Sequence, residues 1–223
     1  MIARDLISDS VPSIKTSDFA GRVLAWLSEF KVRQLPVVNN EELLGLVTED
    51  DLLDTDNDDT PIGNVRLSLP ETTYVFEDNH LYEVLRVASA MKLDLIPVLK
   101  SRDNTYLGVI TSQDLIRFSG EILGVKEPGG IIVLEVSQID YTLSEIGRIC
   151  ESNDARVLSL TVTTKVSDPS RLFISLKLNI RELSRVVATF ERFEYTIAQV
   201  IFDSEQLNDY REHYENLLRY LDL

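Results

Sequence analysis

Two short segments of the sequence carry the same pair of polar residues, a threonine followed three positions later by an aspartate. The pairs are Thr48 with Asp51 and Thr111 with Asp114, each behind a glycine and two apolar residues. A hydroxyl and free amides at a helix start attract phosphate, and a carboxylate can accept hydrogen bonds from both hydroxyls of a ribose. A single such pair favours an ordinary helix cap. Its duplication strengthens the interpretation as a nucleotide site.

The two segments belong to a longer internal repeat. Each follows an apolar, proline-containing strand, Leu35-Pro36-Val37-Val38 in the first copy and Ile96-Pro97-Val98-Leu99 in the second. The prolines are 97 − 36 = 61 positions apart and the threonines 111 − 48 = 63, so the copies differ by two residues in the intervening turn. Such self-similarity predicts a duplicated structural unit.

Each unit is predicted to run helix, strand, strand, helix. Polar turns between the strands predict hairpins. Apolar residues spaced three or four apart predict a helix before each proline strand. These residues are Phe19, Val23, Leu27 and Phe30 in the first copy, and Leu81, Leu85, Ala88 and Met91 in the second.

The repeated motif resembles the cystathionine-β-synthase (CBS) domain, which commonly occurs as a tandem pair called a Bateman module. The resemblance covers roughly the first 120 residues. It implies two adenosine-nucleotide sites, in which the motif aspartate holds the ribose, the motif threonine lies by the ribose and phosphate, and the proline strand lines the adenine pocket. The implied contacts in this sequence are Leu35, Pro36, Thr48, Asp51, Ile96, Pro97, Thr111 and Asp114.

Phosphate would need nearby cations. Lys15 and Arg33 are the candidates in the first copy. In the second copy Asp94 stands at the position of Arg33, which weakens the case for phosphate there, although Lys92 is close in sequence. The acidic run 54–59 lacks the glycine and glutamate of a calcium loop and is interpreted as a solvated linker.

After Pro128-Gly129-Gly130 the pattern changes to strand, helix, strand, strand, helix, strand, a ferredoxin-like order. Placed behind a CBS pair, it resembles the ACT-type regulatory domain, and the combination resembles the acetoin-utilisation accessory family. The predicted fold class is therefore α+β / α/β, a tandem CBS pair followed by a ferredoxin-like (ACT-like) domain. The predicted limits are 1–60, 61–126 and 129–203, with an amphipathic helix over 204–223.

Composition narrows the function classes. A net charge of −15 argues against nucleic acid as a partner. No apolar run approaches the roughly 20 residues that span a bilayer, and the first residues do not resemble a signal peptide, so a soluble cytoplasmic protein without a membrane partner is expected. One cysteine, Cys150, and two separated histidines, His80 and His213, suggest neither a metal nor a catalytic cluster.

The function that the resemblance implies is non-enzymatic. The CBS pair is expected to bind AMP, ADP or ATP as a regulatory ligand, and the protein to be a homodimer that acts on its ACT-like domain or on a partner enzyme. Two alternatives stay open. The CBS pair could be a dimerisation scaffold without nucleotide, or the ACT-like domain could sense an amino acid, although its first turn, 138–142, lacks glycine.

Overall fold

The computed structural model describes residues 1–55, 57–68 and 73–202. The chain divides between Phe118 and Ser119 into two compact units. Each unit has a separate hydrophobic core. The predicted tail helix 204–223 and His213 lie outside the described residues. Among the helices that the structure describes, none is both long and apolar enough to cross a bilayer.

The first unit contains the two predicted repeats, and every predicted helix and strand is present. The first repeat consists of α1 Ala20–Phe30, β1 Gln34–Asn39, β2 Glu42–Thr48 and α2 Glu49–Leu53. The second consists of β3 Val75–Phe76, α3 Leu81–Met91, β4 Leu95–Leu99, β5 Tyr106–Thr111 and α4 Ser112–Ile122.

The proline strands are central because they are apolar on both faces. Leu35 and Ile96 are fully buried. Each proline strand pairs antiparallel with the strand that follows it, β1 with β2 and β4 with β5. The β1–β2 turn uses Asn40 and Glu41 at positive φ, as a hairpin of this handedness requires.

Short extended segments before α1 and before α3 were not predicted. Each pairs in parallel with the proline strand, Ile14 with Val37 in the first repeat and Val75 with Val98 in the second. The two pairs are related by the same repeat spacing, 75 − 14 = 61 and 98 − 37 = 61. These contacts are too short to produce a recognisable strand pattern in the sequence.

The second unit is an α+β fold with the predicted βαββαβ order. Its elements are β6 Ile131–Ser137, α5 Leu143–Glu151, β7 Val157–Thr164, β8 Arg171–Leu178, α6 Ser184–Arg192 and β9 Thr196–Ile201. The antiparallel sheet has the order β7-β8-β6-β9, which is the ferredoxin-like topology. Alternate residues of β6 and β8 are buried, and the core they form includes Cys150, as expected for a free cysteine.

Candidate functional site

Both threonine–aspartate motifs lie at helix starts and cap them. At α2, the Asp51 amide donates to Thr48 Oγ1 over 3.1 Å, and the Thr48 amide donates to Asp51 Oδ2 over 2.9 Å. At α4, the Asp114 amide donates to Thr111 Oγ1 over 3.1 Å, and that hydroxyl donates to Asp114 Oδ2 over 2.6 Å. The capping role therefore holds in both copies, and it uses only one oxygen of each carboxylate.

The two copies differ in the hydrogen-bond partner of the second carboxylate oxygen. Asp51 Oδ1 accepts a hydrogen bond from the backbone amide of Ser68 over 3.2 Å. Asp114 Oδ1 instead accepts from the Arg117 guanidinium over 2.9 Å, which is an ion pair. The two aspartates are equally buried, each 9% exposed. Asp114 is therefore neutralised by its own helix, whereas Asp51 makes no ion pair with any residue that the structure describes.

One sequence position causes this difference. Arg117 stands three residues after Asp114, within reach along the helix surface. The corresponding residue of the first copy, three after Asp51, is Asp54. An aspartate there cannot pair with Asp51 and adds a second negative charge beside it.

An open cavity of about 670 Å³ lies beside Asp51. Asp51 is part of its wall, together with the first residues of the predicted linker and the segment that follows the linker. The described lining residues are Asp51, Asp54, Thr55, Thr60, Asn64, Val65, Arg66, Leu67 and Ser68. Hydroxyl, amide, carboxylate and guanidinium groups thus converge with two apolar side chains, a mixture typical of small-molecule sites.

Each motif is covered by the segment that leads into the opposite repeat. Leu67 lies over Gly45, where an added Cβ would come within 2.7 Å of Leu67 Cδ1. Ile7 lies over Gly108 in the same way, also at 2.7 Å. The two glycines have φ of 150° and 149°. A side chain at either glycine would displace the covering segment, so these glycines permit the close contact between the repeats.

A smaller cavity of about 230 Å³ lies beside the second motif. Its described lining residues are Ser10, Val11, Phe30, Lys31, Val32, Asp94, Thr111, Ser112 and Gln113. Asp114 is not among these lining residues. This cavity is therefore smaller than the one beside Asp51, and the aspartate carboxylate of the second motif is already paired.

Arg33 and Asp94, which occupy equivalent positions of the two repeats, bind each other. The Arg33 guanidinium donates to both Asp94 oxygens, over 2.8 and 2.7 Å. These hydrogen bonds to Arg33 hold the pKa of Asp94 below its usual range. Arg33 was predicted as a phosphate contact. In the structure its side chain binds Asp94 of the other repeat.

The remaining predicted contacts lie elsewhere in the first unit. Leu35, Pro36, Ile96 and Pro97 are buried in their strands, and the Lys15 side chain is exposed. Within the described part of the chain, none of these five residues lines the cavity beside Asp51. Of the ten predicted contacts, the structure places Asp51 at the larger cavity and Thr111 at the smaller one.

Sequence reasoning missed Asp54, Arg66 and Ser68. Asp54 was assigned to a solvated linker, but with Thr55 and Thr60 it forms part of the cavity wall. A signal for Arg66 was present, because it is the only Lys or Arg between Arg33 and Arg86. Ser68 contributes a backbone amide, a group that any residue except proline carries, so no residue type could have revealed it.

The second unit has a polar cavity of about 360 Å³ near the turn that follows β6. Arg171 is the only Lys or Arg among its described lining residues, and its guanidinium donates to Glu135 over 3.2 Å. Tyr195 donates to Glu145 over 2.9 Å, and burial together with that carboxylate raises the pKa of Tyr195 to about 12. The cationic and phenolic groups of this cavity therefore already have internal partners.

Comparison with known proteins identifies the repeated part of the first unit. The family model described as the CBS domain matches residues 3–58 and 61–121, which together exceed half of the chain.

Among the solved structures similar to this chain are three crystal structures, each of which matches a little over half of it. A CBS domain pair/ACT domain protein from Thermotoga maritima is 19% identical, with a TM-score of 0.49 over 55% of this chain and 99% of that one. A putative acetoin utilization protein (AcuB) from Vibrio cholerae is 20% identical, with a TM-score of 0.48 over 56% and 95%. CBSX2 in complex with AMP is 23% identical, with a TM-score of 0.46 over 54% and 97%.

Proposed function

The chain belongs to the CBS-domain family, of which it carries a tandem pair, and from this premise we propose that it is a non-enzymatic regulatory protein that senses an adenine nucleotide. The site is the cavity beside Asp51. The observation that carries this proposal is the state of the Asp51 carboxylate, which lies in the wall of a large cavity without a cationic partner among the described residues.

The dimensions and chemistry of this cavity suit an adenosine ligand. A volume of about 670 Å³ lies within the usual range of roughly 300–1,000 Å³ for small-molecule sites. Ribose hydroxyls are hydrogen-bond donors, and an ionised carboxylate is the strongest acceptor that a side chain provides. Asp51 Oδ1 would exchange its hydrogen bond with Ser68 for one with the ribose, while Oδ2 continues to cap α2.

For the cation that meets the phosphate, we propose a residue other than the two suggested by the sequence. Arg33 is bonded to Asp94, so the guanidinium available at the cavity is that of Arg66. The contacts proposed for the ligand are therefore Asp51 and Thr48 of the motif, together with Arg66 and Ser68 of the covering segment. Because that segment leads into the second repeat, an occupied site would bind the two repeats to each other.

The second unit is proposed to supply dimerisation or signal output, as an ACT-like domain. Its edge strands β7 and β9 contain no charged residue, although 26% of the chain is charged. Val157, Leu158 and Val162 of β7 are 37–43% exposed. Exposed edge strands usually carry charges or proline that prevent pairing, so an uncharged edge favours pairing with a second copy.

A scaffold without nucleotide is the second candidate, because both motifs already serve as helix caps. Thermal unfolding with adenosine, AMP, ADP or ATP distinguishes the two functions. A ligand at about 100 times its dissociation constant adds about 2.7 kcal/mol, or about 5–10 °C in a domain of this size. UMP and UDP are the matched controls, which have the same phosphates on a different base. Equal shifts with uridine nucleotides, or no shift with any adenosine ligand at millimolar concentration, would favour the scaffold.

A further inference from the structure

Among the described residues, α5 and α6 cover one face of the sheet in the second unit. Even-numbered residues of β6 and β8 enter the core with these helices, so their odd-numbered neighbours point to the opposite face. Three of these neighbours, Ile131, Val133 and Phe173, are large, apolar and partly exposed, and neither described core includes them. We call this surface the open face; it consists of the odd-numbered residues of β6 and β8 and their register partners Ser159, Thr161, Thr163, Gln199 and Ile201.

The open face is positively charged, unlike the chain as a whole. Its ionisable side chains are Lys165, Arg171, Lys177 and Glu135, which give 3 − 1 = +2. Lys165 donates to Glu135 over 2.9 Å, and Arg171 donates to the same carboxylate over 3.2 Å. Lys177 donates to the Gly129 carbonyl and makes no ion pair with a described residue. In a chain with a net charge of −15, this surface is suited to an acidic, amphipathic partner.

The same chain contains a segment of that kind. Residues 203–223 have two Arg against six Asp and Glu, which gives 2 − 6 = −4. Their apolar residues recur three or four positions apart and would form a stripe along one side of a helix: Leu207, Tyr210, Tyr214, Leu217 and Leu221. A second copy is less suitable, because two open faces, each at +2, would bring like charges together.

The connection from the sheet to this segment is short. β9 ends at Ile201, which pairs with the first residue of β6 and is 41% exposed at the margin of the open face. Asp203 followed by Gln206 is the pattern of a helix cap, and Phe202 with Leu207 has the spacing of the hydrophobic staple that often accompanies it. The sequence therefore predicts a helix that starts directly after β9.

The length of this segment matches the sheet. A 20-residue helix is about 30 Å long, and strands of seven or eight residues span about 25 Å. Since α5 and α6 occupy the other face, the open face is the one available to a helix joined so closely to β9.

We propose that residues 203–223 form a helix that lies on the open face of their own sheet. The apolar stripe of the helix contacts Ile131, Val133 and Phe173, and its acidic residues lie near Lys177 and Arg171. The second unit then has helices on both faces of the sheet. Pairing with a second copy is thereby confined to the edge strands β7 and β9.

Hydrogen–deuterium exchange of the full chain, measured by mass spectrometry, tests whether the segment is docked. We expect the amides of residues 207–221 to exchange at least about 10-fold more slowly than those of an unstructured chain. Phe173→Thr removes the largest apolar side chain of the open face and should accelerate this exchange several-fold. Exchange at the unstructured rate in the unmodified chain would overturn the proposal.

Phe193→Thr is the matched control for Phe173→Thr. It makes the same change at a phenylalanine that is 39% exposed in the helical layer, where the Arg148 guanidinium lies 5.2 Å from the centre of its ring. This variant should leave the exchange of residues 207–221 unchanged, and an acceleration equal to that of Phe173→Thr would contradict docking on the open face. Thermal unfolding of each variant establishes that it folds.

Crosslinking identifies the surface that the segment contacts. Ser175→Cys lies at the middle of the open face and Tyr214→Cys at the middle of the segment, so a short bismaleimide should link the two within one chain. Ala188→Cys, exposed on α6, replaces Ser175→Cys in the control and should give no link; the native Cys150 is buried. Equal linking in the control, or no link from Ser175→Cys, would overturn the proposal. A linked dimer would assign the segment to the sheet of a second copy and overturn docking on its own sheet.

Discussion

The two repeats of the first unit share one motif and differ in whether its aspartate forms an ion pair with a described residue. Asp51 and Asp114 are equally buried and cap equivalent helices. Asp114 is paired with Arg117, whereas Asp51 accepts hydrogen bonds from the backbone amides of Thr48 and Ser68 and lies in the wall of a larger cavity. The motif by itself therefore creates a helix cap, and the residue three positions later decides whether the aspartate also forms an ion pair.

The covering segments reinforce this difference. Ser68, in the segment over the first motif, donates its amide to Asp51. Ser8, in the segment over the second motif, donates its amide to the Val109 carbonyl. The second segment thus adds a backbone pairing to a strand, and the first adds a hydrogen bond to the carboxylate proposed to hold the ligand.

The largest expected effect comes from removing the charge of each motif aspartate in turn. Asp51→Asn should weaken adenosine-ligand binding about 10- to 100-fold, because the hydrogen bond from the ribose to an ionised group, which contributes about 1.5–3 kcal/mol, loses its charge. Asp114→Asn should change the affinity by less than about twofold. Calorimetry on both variants checks this, and a greater loss with Asp114→Asn would assign the site to the second repeat.

Alanine at the two motif glycines should destabilise the fold about equally. The added Cβ would approach Leu67 or Ile7 within 2.7 Å, at a φ that favours glycine. We expect a loss of about 1–3 kcal/mol in unfolding free energy for Gly45→Ala and for Gly108→Ala, measured by urea denaturation. Only Gly45→Ala should also weaken ligand binding, since Leu67 lines the cavity. Weakening by both variants alike would contradict the proposed asymmetry.

An arginine placed in the first repeat, at the position equivalent to Arg117, should weaken ligand binding beside Asp51. Asp54→Arg places a guanidinium three residues after Asp51, where it can form the ion pair seen between Arg117 and Asp114. Breaking an exposed pair of this kind costs up to about 1 kcal/mol, so ligand affinity should fall about fivefold. Arg117→Gln serves as the control and should leave the affinity unchanged. Unaltered binding by Asp54→Arg would show that an ion pair to Asp51 does not compete with the ligand.

The smallest effect concerns the contact between the repeats. The pKa of Asp94 is lowered by Arg33, so the pair stabilises the fold at pH values above the ordinary aspartate range and this stabilisation is lost as the pH falls through the lowered pKa. Asp94→Asn should cost about 0.5–1 kcal/mol at pH 7, as is usual for partly exposed pairs. Urea unfolding at pH 7 and near pH 3 measures this difference, which should shrink at the lower pH. A pH-independent difference would mean that charge plays no part in the contact.

Much of the fold could be predicted from the sequence because its signals are local. The 61-residue spacing of the prolines located both repeats, helical spacing such as that of Val23 and Leu27 located the helices, and the six elements after residue 130 established the ferredoxin-like order. The extended segments at Ile14 and Val75 were missed because each pairs with its proline strand over one or two residues. Their pairing depends on contacts more than 20 positions away.

The sequence by itself determined that this protein is a duplicated CBS unit with a capped helix behind each proline strand, because repeats, caps and apolar periodicity depend on residues close together in the chain. Tertiary structure alone decided where the larger cavity lies. The cavity beside Asp51 arises where the following segment places Leu67 over Gly45, and Arg33, predicted as a phosphate contact, is hydrogen-bonded to Asp94, 61 residues away. Residue types show which groups are charged, and only the fold shows which charges neutralise one another.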